Sequence, residues 1–305
     1  MSIDLSTITR NGLVIREGTT TKVLIKADFA SMVGRDPTVV CLNPEAPAED
    51  KVYQKTFTKR CVYLPEEYDL AVQHHLRGRY VLVLAMNGYS SIKPEQCREW
   101  GIQVGAYEVA CRNLLKTVWL HLRREFPDLD IRLIHGSSDM GVDRAIIDAA
   151  VELRREMLGF SCPEYAFYVT DEANFPMYIA STVEEYSDAF VRSGDILIAA
   201  NGRLQAYRMD IKAVFEHDKI FIPINVLRLI SSLAGPPPKD KDGKIMDACA
   251  HFEQRVYMVG QRRPDVPGSI SHDPWKAALH ELSEVLVDKC RHQLDPEVGL
   301  EVRLS

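Results

Sequence analysis

Ile131-Arg132-Leu133-Ile134-His135-Gly136-Ser137-Ser138-Asp139-Met140-Gly141-Val142-Asp143 joins a short apolar run, a polar loop bracketed by two glycines, and the first turn of a helix. The apolar run suits a strand buried on both faces of a parallel sheet. Beyond Gly141, the residues Val142, Ile146, Ala149, Leu153 and Met157 recur at helical spacing, so one helix face is expected to run through them. Strand, glycine loop and helix make the repeating unit of α/β folds. Their ligands bind at the carboxyl ends of the strands.

The same alternation extends outward from this stretch. Upstream, Tyr80-Val81-Leu82-Val83-Leu84-Ala85-Met86 reads as a strand and Asn87-Gly88-Tyr89-Ser90-Ser91 as its loop. A crossover helix is expected over 106–126, with Val109, Ala110, Leu114, Val118 and Leu122 facing inward. Downstream, strands are expected at 165–169, 196–200 and 220–224, and helices at 182–192 and 204–216. Repeated βα units with short connections require crossovers, which predicts a Rossmann-like, doubly wound parallel sheet. The residues of this domain are 79–232. Before it, apolar or β-branched runs at 13–16, 21–27, 38–42 and 57–64 make 1–78 a β-rich N-terminal region, ending in a short helical stretch at 66–79. After it, the Pro- and Gly-rich stretch 235–243 reads as a loop, and a C-terminal helical segment, 245–294, contains helices at 245–259 and 275–294.

The chain has 305 residues, 46% hydrophobic and 26% charged, which places it among ordinary globular proteins and excludes the disordered and fibrous classes. Its 43 acidic residues outnumber 37 basic ones, so no global field attracts a polyanion and extended nucleic-acid binding is disfavoured. No apolar run reaches a membrane span, and residues 1–16 lack the basic start and apolar stretch of a secretory signal. Seven cysteines are scattered without C-x-x-C spacing, as expected of reduced thiols in the cytoplasm. The nine histidines show no compact ligand spacing, so neither a metal nor a cofactor is expected.

Three loops fall where a ligand would bind: Asn87, Gly88, Ser90 and Ser91; Gly136, Ser137, Ser138, Asp139, Gly141, Val142 and Arg144; and Asn201, Gly202 and Arg203. In the second, glycines let the backbone approach a ligand while the N–H groups of the following helix offer an anion site. Gly136 and Gly141 have G-x-x-x-x-G spacing, but Val142-Asp143 replaces the Lys-Ser/Thr that holds a triphosphate and its Mg²⁺. The loop also fails the G-x-S-x-G pattern of a nucleophile elbow, and no G-x-G-x-x-G follows any strand. A purely structural account stands beside the ligand reading: the glycines make a tight turn and Ser138 or Asp139 caps the helix. Arg203 is placed to bind a phosphate bidentately.

The stretch His135-Gly136-Ser137-Ser138-Asp139-Met140-Gly141-Val142-Asp143-Arg144-Ala145 resembles the G-x-A-x-G-(I/V)-D-x-x-A turn of the SMF/DprA/LOG (SLOG) superfamily. Ser193-Gly194-Asp195-Ile196-Leu197-Ile198-Ala199 is similar to the strand that follows it there, and residues 87–91 fall at that superfamily's first ligand loop. The resemblance covers roughly 79–230 and implies a nucleotide-binding Rossmann-like domain. The superfamily includes nucleoside-monophosphate phosphoribohydrolases, DNA-processing proteins that bind single strands, and nucleotide sensors. The hydrolase signature P-G-G-x-G-T-x-x-E would fall on residues 201–209, where one glycine survives and Met209 stands at the glutamate position. The arginine expected upstream falls near Tyr186.

These readings predict a homodimeric protein that binds a nucleotide or nucleotide-derived phosphorylated ligand, as sensor or binding protein. The dimer rests on the superfamily resemblance and on the amphipathic segment 275–294. A nucleoside-monophosphate N-glycosidase is the alternative, with Asp143, Glu184, Glu185 and Asp210 as the carboxylates able to stabilise an oxocarbenium ion or activate water. A DNA-processing type of single-strand binding is the third.

Overall fold

Parallel strands need crossovers, and the chain supplies them with helices on both faces of one sheet. The computed structural model describes residues 12–17, 20–25, 38–42, 52–57, 61–78, 81–217 and 219–231. Two small antiparallel pairs come first: β1 (Gly12–Glu17) with β2 (Thr20–Ile25), and β3 (Thr38–Leu42) with β4 (Val52–Thr56). The large sheet comprises β5 (Val62–Tyr63), β6 (Val81–Gly88), β7 (Asp130–His135), β8 (Met157–Ser161), β9 (Met177–Ile179), β10 (Ile196–Ala200) and β11 (Ile220–Ile224). All seven run parallel in the order β11-β10-β6-β7-β8-β9-β5.

From β6 the chain winds outward through β7, β8 and β9, then returns to the other side of β6 for β10 and β11. The order therefore reverses beside β6, and a crevice opens there at the carboxyl ends of the strands. The helices are α1 (Tyr68–His75), α2 (Pro94–Glu99), α3 (Ala106–Glu125), α4 (Gly141–Leu153), α5 (Val183–Ser193), α6 (Leu204–Ile211) and α7 (Val226–Ile230). Strand β6 shows how the layers form. Leu82, Leu84 and Met86 pack with Leu114, Val118 and Leu122 of α3 and Ile146 and Ala149 of α4, while Val83 and Ala85 pack with Phe190 of α5 and Met209 of α6. Alternate residues of one strand thus feed two separate cores.

Some elements differ from the sequence reading, each for a local reason. The apolar face of α4 does not run on to Met157, because the helix ends at Leu153 and Arg154 takes a left-handed φ of 52°. Met157–Ser161 is instead a wholly buried strand. A short, mostly apolar run such as this reads equally as a helix end or a doubly buried strand, so periodicity alone cannot separate the two. The expected strand at 165–169 is a short 3₁₀ turn, Ala166–Tyr168. Val109 of α3 faces solvent, and Tyr107 and Cys111 take the inward positions. Within the run expected at 57–64, Val62–Tyr63 joins the large sheet beside β9, so the sheet reaches further toward the N-terminus than 79–232. The loop at 235–243, the helices at 245–259 and 275–294 and the dimer contact read from them lie outside the described residues. Among the described residues no helix is long and apolar enough to cross a membrane.

Candidate functional site

Tyr107 of α3 sets the geometry of the crevice. Its hydroxyl donates to the Ala200 carbonyl at the end of β10 and accepts the Tyr89 N–H at 3.0 Å, tying the ends of β6 and β10 together. The Tyr89 carbonyl then accepts the Val142 N–H at the start of α4, at 2.9 Å. This is why residue 141 is glycine. It has a φ of 59°, and a Cβ there would lie 2.1 Å from the Tyr89 oxygen and 2.5 Å from the Ser90 carbonyl carbon. The Val142 amide, one of those at the start of α4 that were expected to face a ligand, is therefore used by the neighbouring loop.

The expected side-chain cap is also replaced. Met140 stands at the N-cap of α4 without a side-chain bond, and Asp143 folds back to accept the Gly136 N–H at 2.6 Å. Asp139 points outward, where Arg144 holds it at 2.6 Å together with Asp148 and Glu172. Three carboxylates commit that arginine away from any ligand.

Between the three loops lies a cavity of about 340 Å³. Asn87, Gly88, Ser90, Ser91, Gly136, Ser138, Val142, Asp143 and Arg203 line it, so nine of the residues singled out in the sequence meet in one place. The others lie elsewhere. Ser137 is buried with its Oγ facing the Gly159 backbone; Asn201 is a fully buried clip, bonded to Asn225 and the Leu227 N–H at 2.9 Å each. Gly202, with a φ of 123°, packs against the end of β6. Asp210 is buried and accepts from Asn87 at 2.8 Å, and Glu184 and Glu185 belong to a separate cavity between α1 and α5.

Only one of the four carboxylates, Asp143, lines the cavity. Burial pushes its carboxyl up to about 7, against the lowering pull of the Gly136 and Ser138 N–H groups. Tyr186 faces it, and its phenol is held well above its ordinary range by burial, with the Asp143 charge adding to the effect.

Two residues that line this space carry buried polar atoms without a partner among the described residues: Asn87 Oδ1 and Ser138 Oγ. The Asn87 orientation is fixed chemically, since its amino group donates to the Asp210 carboxylate at 2.8 Å and to the Ala206 carbonyl at 3.2 Å. Its oxygen is left as a bare acceptor, a condition costing about 1–3 kcal/mol when nothing fills it. At the cavity mouth Arg203 lies over the Tyr89 ring at 5.7 Å and has no carboxylate partner among the described residues.

Sequence reasoning missed the walls. Tyr165, Tyr168, Tyr186 and Phe190 form an aromatic side, with Tyr165 and Tyr186 edge to face at 5.5 Å. Tyr186 and Phe190 recur four apart on α5, a spacing that reads as ordinary core. Tyr165 and Tyr168 sit on and beside the 3₁₀ turn that was read as a strand. The two positions aligned with the hydrolase arginine and glutamate, Tyr186 and Met209, do line the cavity, but neither side chain supplies the charge of its counterpart.

No protein-family model matches the chain, and no curated protein matches it. Solved structures do. It is similar to the structural-genomics protein TM1055 at 16% identity, over 47% of this chain and 72% of that one, with a TM-score of 0.32. It is similar to the molybdenum cofactor binding protein of Rippkaea orientalis at 13% identity, over 48% and 77%, with a TM-score of 0.33. A third is DNA processing protein A (DprA) of Streptococcus pneumoniae, at 11% identity over 73% and 70%, TM-score 0.39.

Proposed function

We propose that the cavity binds a nucleotide or nucleotide-derived phosphorylated ligand, with its flat base against the tyrosine wall and its phosphate at Arg203. The observation that carries this reading is the buried acceptor Asn87 Oδ1, locked in orientation and without a partner among the described residues, on a residue that lines a space of ligand size. Aromatic side chains on one side suit a planar ring, and an arginine free of carboxylates at the mouth suits an anion. The phosphate is assigned to Arg203 rather than to α4, because Tyr89 already occupies the Val142 N–H. Binding to the folded state alone raises its stability by about 2.7 kcal/mol at a ligand concentration one hundred times Kd. Nucleoside monophosphates are therefore expected to raise the melting temperature of the protein. A panel of all common nucleoside monophosphates at millimolar concentration that leaves it unmoved removes the reading.

A second reading, cleavage of the N-glycosidic bond, is favoured by Asp143, a carboxyl near neutrality lining the cavity. Chromatography of a prolonged incubation separates the two: released base supports cleavage, and intact ligand supports a sensor or binding protein.

A further inference from the structure

We propose that Asp143 reads the hydrogen-bonding edge of the bound base, pairing as a carboxylate with an edge of two N–H donors and as a carboxylic acid with an edge of one donor and one acceptor. This rests on the nucleotide reading above and deepens it. The geometry leaves few alternatives for the base. The tyrosine wall and Arg203 stand at different parts of the cavity, since Tyr186 faces Asp143 whereas Arg203 lies over Tyr89 and contacts Gln96. A nucleotide with its phosphate at Arg203 and its ring along Tyr165, Tyr168, Tyr186 and Phe190 brings the edge of the ring to Asp143.

That carboxyl is held in place from behind. Its Oδ1 accepts the Gly136 N–H at 2.6 Å, and Gly136 has no room to become anything larger, because a Cβ would lie 2.6 Å from Asp143 Oδ2 and 2.7 Å from the Tyr186 hydroxyl. A carboxylate has only acceptors, so it matches the adjacent ring and amino N–H groups of guanine. A carboxylic acid has one donor and one acceptor, and so matches the ring nitrogen and amino group of adenine. With the carboxyl pushed up to about 7 by burial, both forms exist near neutral pH.

Other titratable groups stand around Asp143. On β7 the buried His135, next to Gly136, accepts the Ser137 N–H through Nδ1 at 3.0 Å. From α5 the Tyr186 phenol faces it, and Tyr165 lies against Tyr186; burial holds the first well above its ordinary range and the second at about 12. On α4 itself Arg144 points outward to Asp139, Asp148 and Glu172. On α6, Asp210 is tied to Asn87.

The test is isothermal titration of the full chain with guanosine 5′-monophosphate and adenosine 5′-monophosphate at pH 6, 7 and 8. The ratio of the two affinities cancels the titration of the shared phosphate, which itself falls near 6. The guanine-to-adenine affinity ratio is expected to rise by roughly tenfold per pH unit through the Asp143 transition. Asp143→Asn, whose amide imitates the acid form, is expected to favour adenine at every pH; if that variant does not fold, the wild-type ratio alone decides. A ratio that stays flat or falls with pH while both nucleotides bind overturns the role of Asp143 and leaves nucleotide binding standing. Binding of neither nucleotide at any pH overturns both.

Discussion

Asp143 and Glu184 occupy two cavities of similar size, about 340 and 390 Å³, on the same domain, and their carboxylates have opposite surroundings. Glu184 has a countercharge beside it. Lys212 lies 2.9 Å from Glu184 and 3.2 Å from Glu216, and His217 lies 2.8 Å from Asp188. Glu184 first, and Glu216 with it, raise the pKa of that ammonium. Asp143 is met instead by two backbone N–H groups and a phenol, in a space walled by aromatic rings. A carboxylate with a countercharge is electrically finished, whereas one held by neutral dipoles keeps the capacity to exchange a proton or pair with something new. This difference, and not the count of acidic residues, favours the first cavity as the candidate site.

The comparison breaks most severely at Gly141. Gly141→Val places a branched side chain at a positive φ and within 2.1 Å of the Tyr89 carbonyl, so the loop that closes the first cavity cannot stay where it is. A loss of about 3 kcal/mol or more is expected from strain of this kind, read as an earlier midpoint in urea unfolding. An unchanged midpoint would mean that the Tyr89 to Val142 contact does not organise the site.

Less severe is the removal of the arginine at the mouth. Besides lying over the Tyr89 ring, Arg203 makes a weak hydrogen bond at 3.4 Å to Gln96 and is exposed, so Arg203→Ala is expected to leave the melting temperature within a few degrees while weakening nucleoside monophosphate binding by about ten- to a hundredfold, the loss of a charged hydrogen-bonding partner. Titration of the corresponding nucleoside sharpens the point, because without a phosphate it should not distinguish wild type from variant.

The pH dependence of stability separates the two carboxylates directly. Burial raises the Asp143 carboxyl from an ordinary 3.8 to about 7, so below 3.8 both folded and unfolded chains carry the proton and no penalty arises. Between 3.8 and about 7 the unfolded chain releases it first, and stability falls as pH rises, levelling off above 7. The total is about 2 kcal/mol once access from the cavity is allowed for. Asp143→Asn should flatten that slope in urea melts taken from pH 4 to 8, and Glu184→Gln should leave it in place.

The sheet was legible because its strands are runs such as 81–86 and 196–200, apolar without alternation and separated by helical spacing, a pattern that few other folds satisfy. Its middle was not: Met157–Ser161 follows a helix too closely for periodicity to mark the break, and the left-handed Arg154 that makes the break carries no glycine signal. The polar half of the site was legible for a related reason, since residues 87–91, 136–143 and Arg203 all follow strands. The aromatic half was not, because Tyr186 and Phe190 look like core residues of α5 until the fold shows that its end borders a space. Charge also misled: Glu184 and Glu185 directly precede Tyr186 in sequence, but a helix turns successive residues to different faces, and theirs is the outer one.

The smallest effects belong to that outer face, where the contrast is sharpest as an absence of consequence. Glu185 accepts the Ser181 N–H at 3.0 Å while Thr182 accepts the Glu185 N–H at 3.1 Å, a reciprocal pair that starts α5. Glutamine preserves both bonds, so Glu185→Gln is expected to change stability by less than about 0.5 kcal/mol, whereas Glu185→Ala, which leaves the Ser181 amide just before the helix without its acceptor, costs about 1 kcal/mol. Glu184→Gln removes an exposed partner of Lys212 that Glu216 still serves, and is worth under about 1 kcal/mol. None of the three should alter nucleotide affinity by more than about twofold, because neither side chain lines the cavity at β6. A larger loss of affinity in Glu184→Gln or Glu185→Gln, with stability intact, would show that the two cavities act together and that the separation drawn here between a finished carboxylate and an available one is wrong.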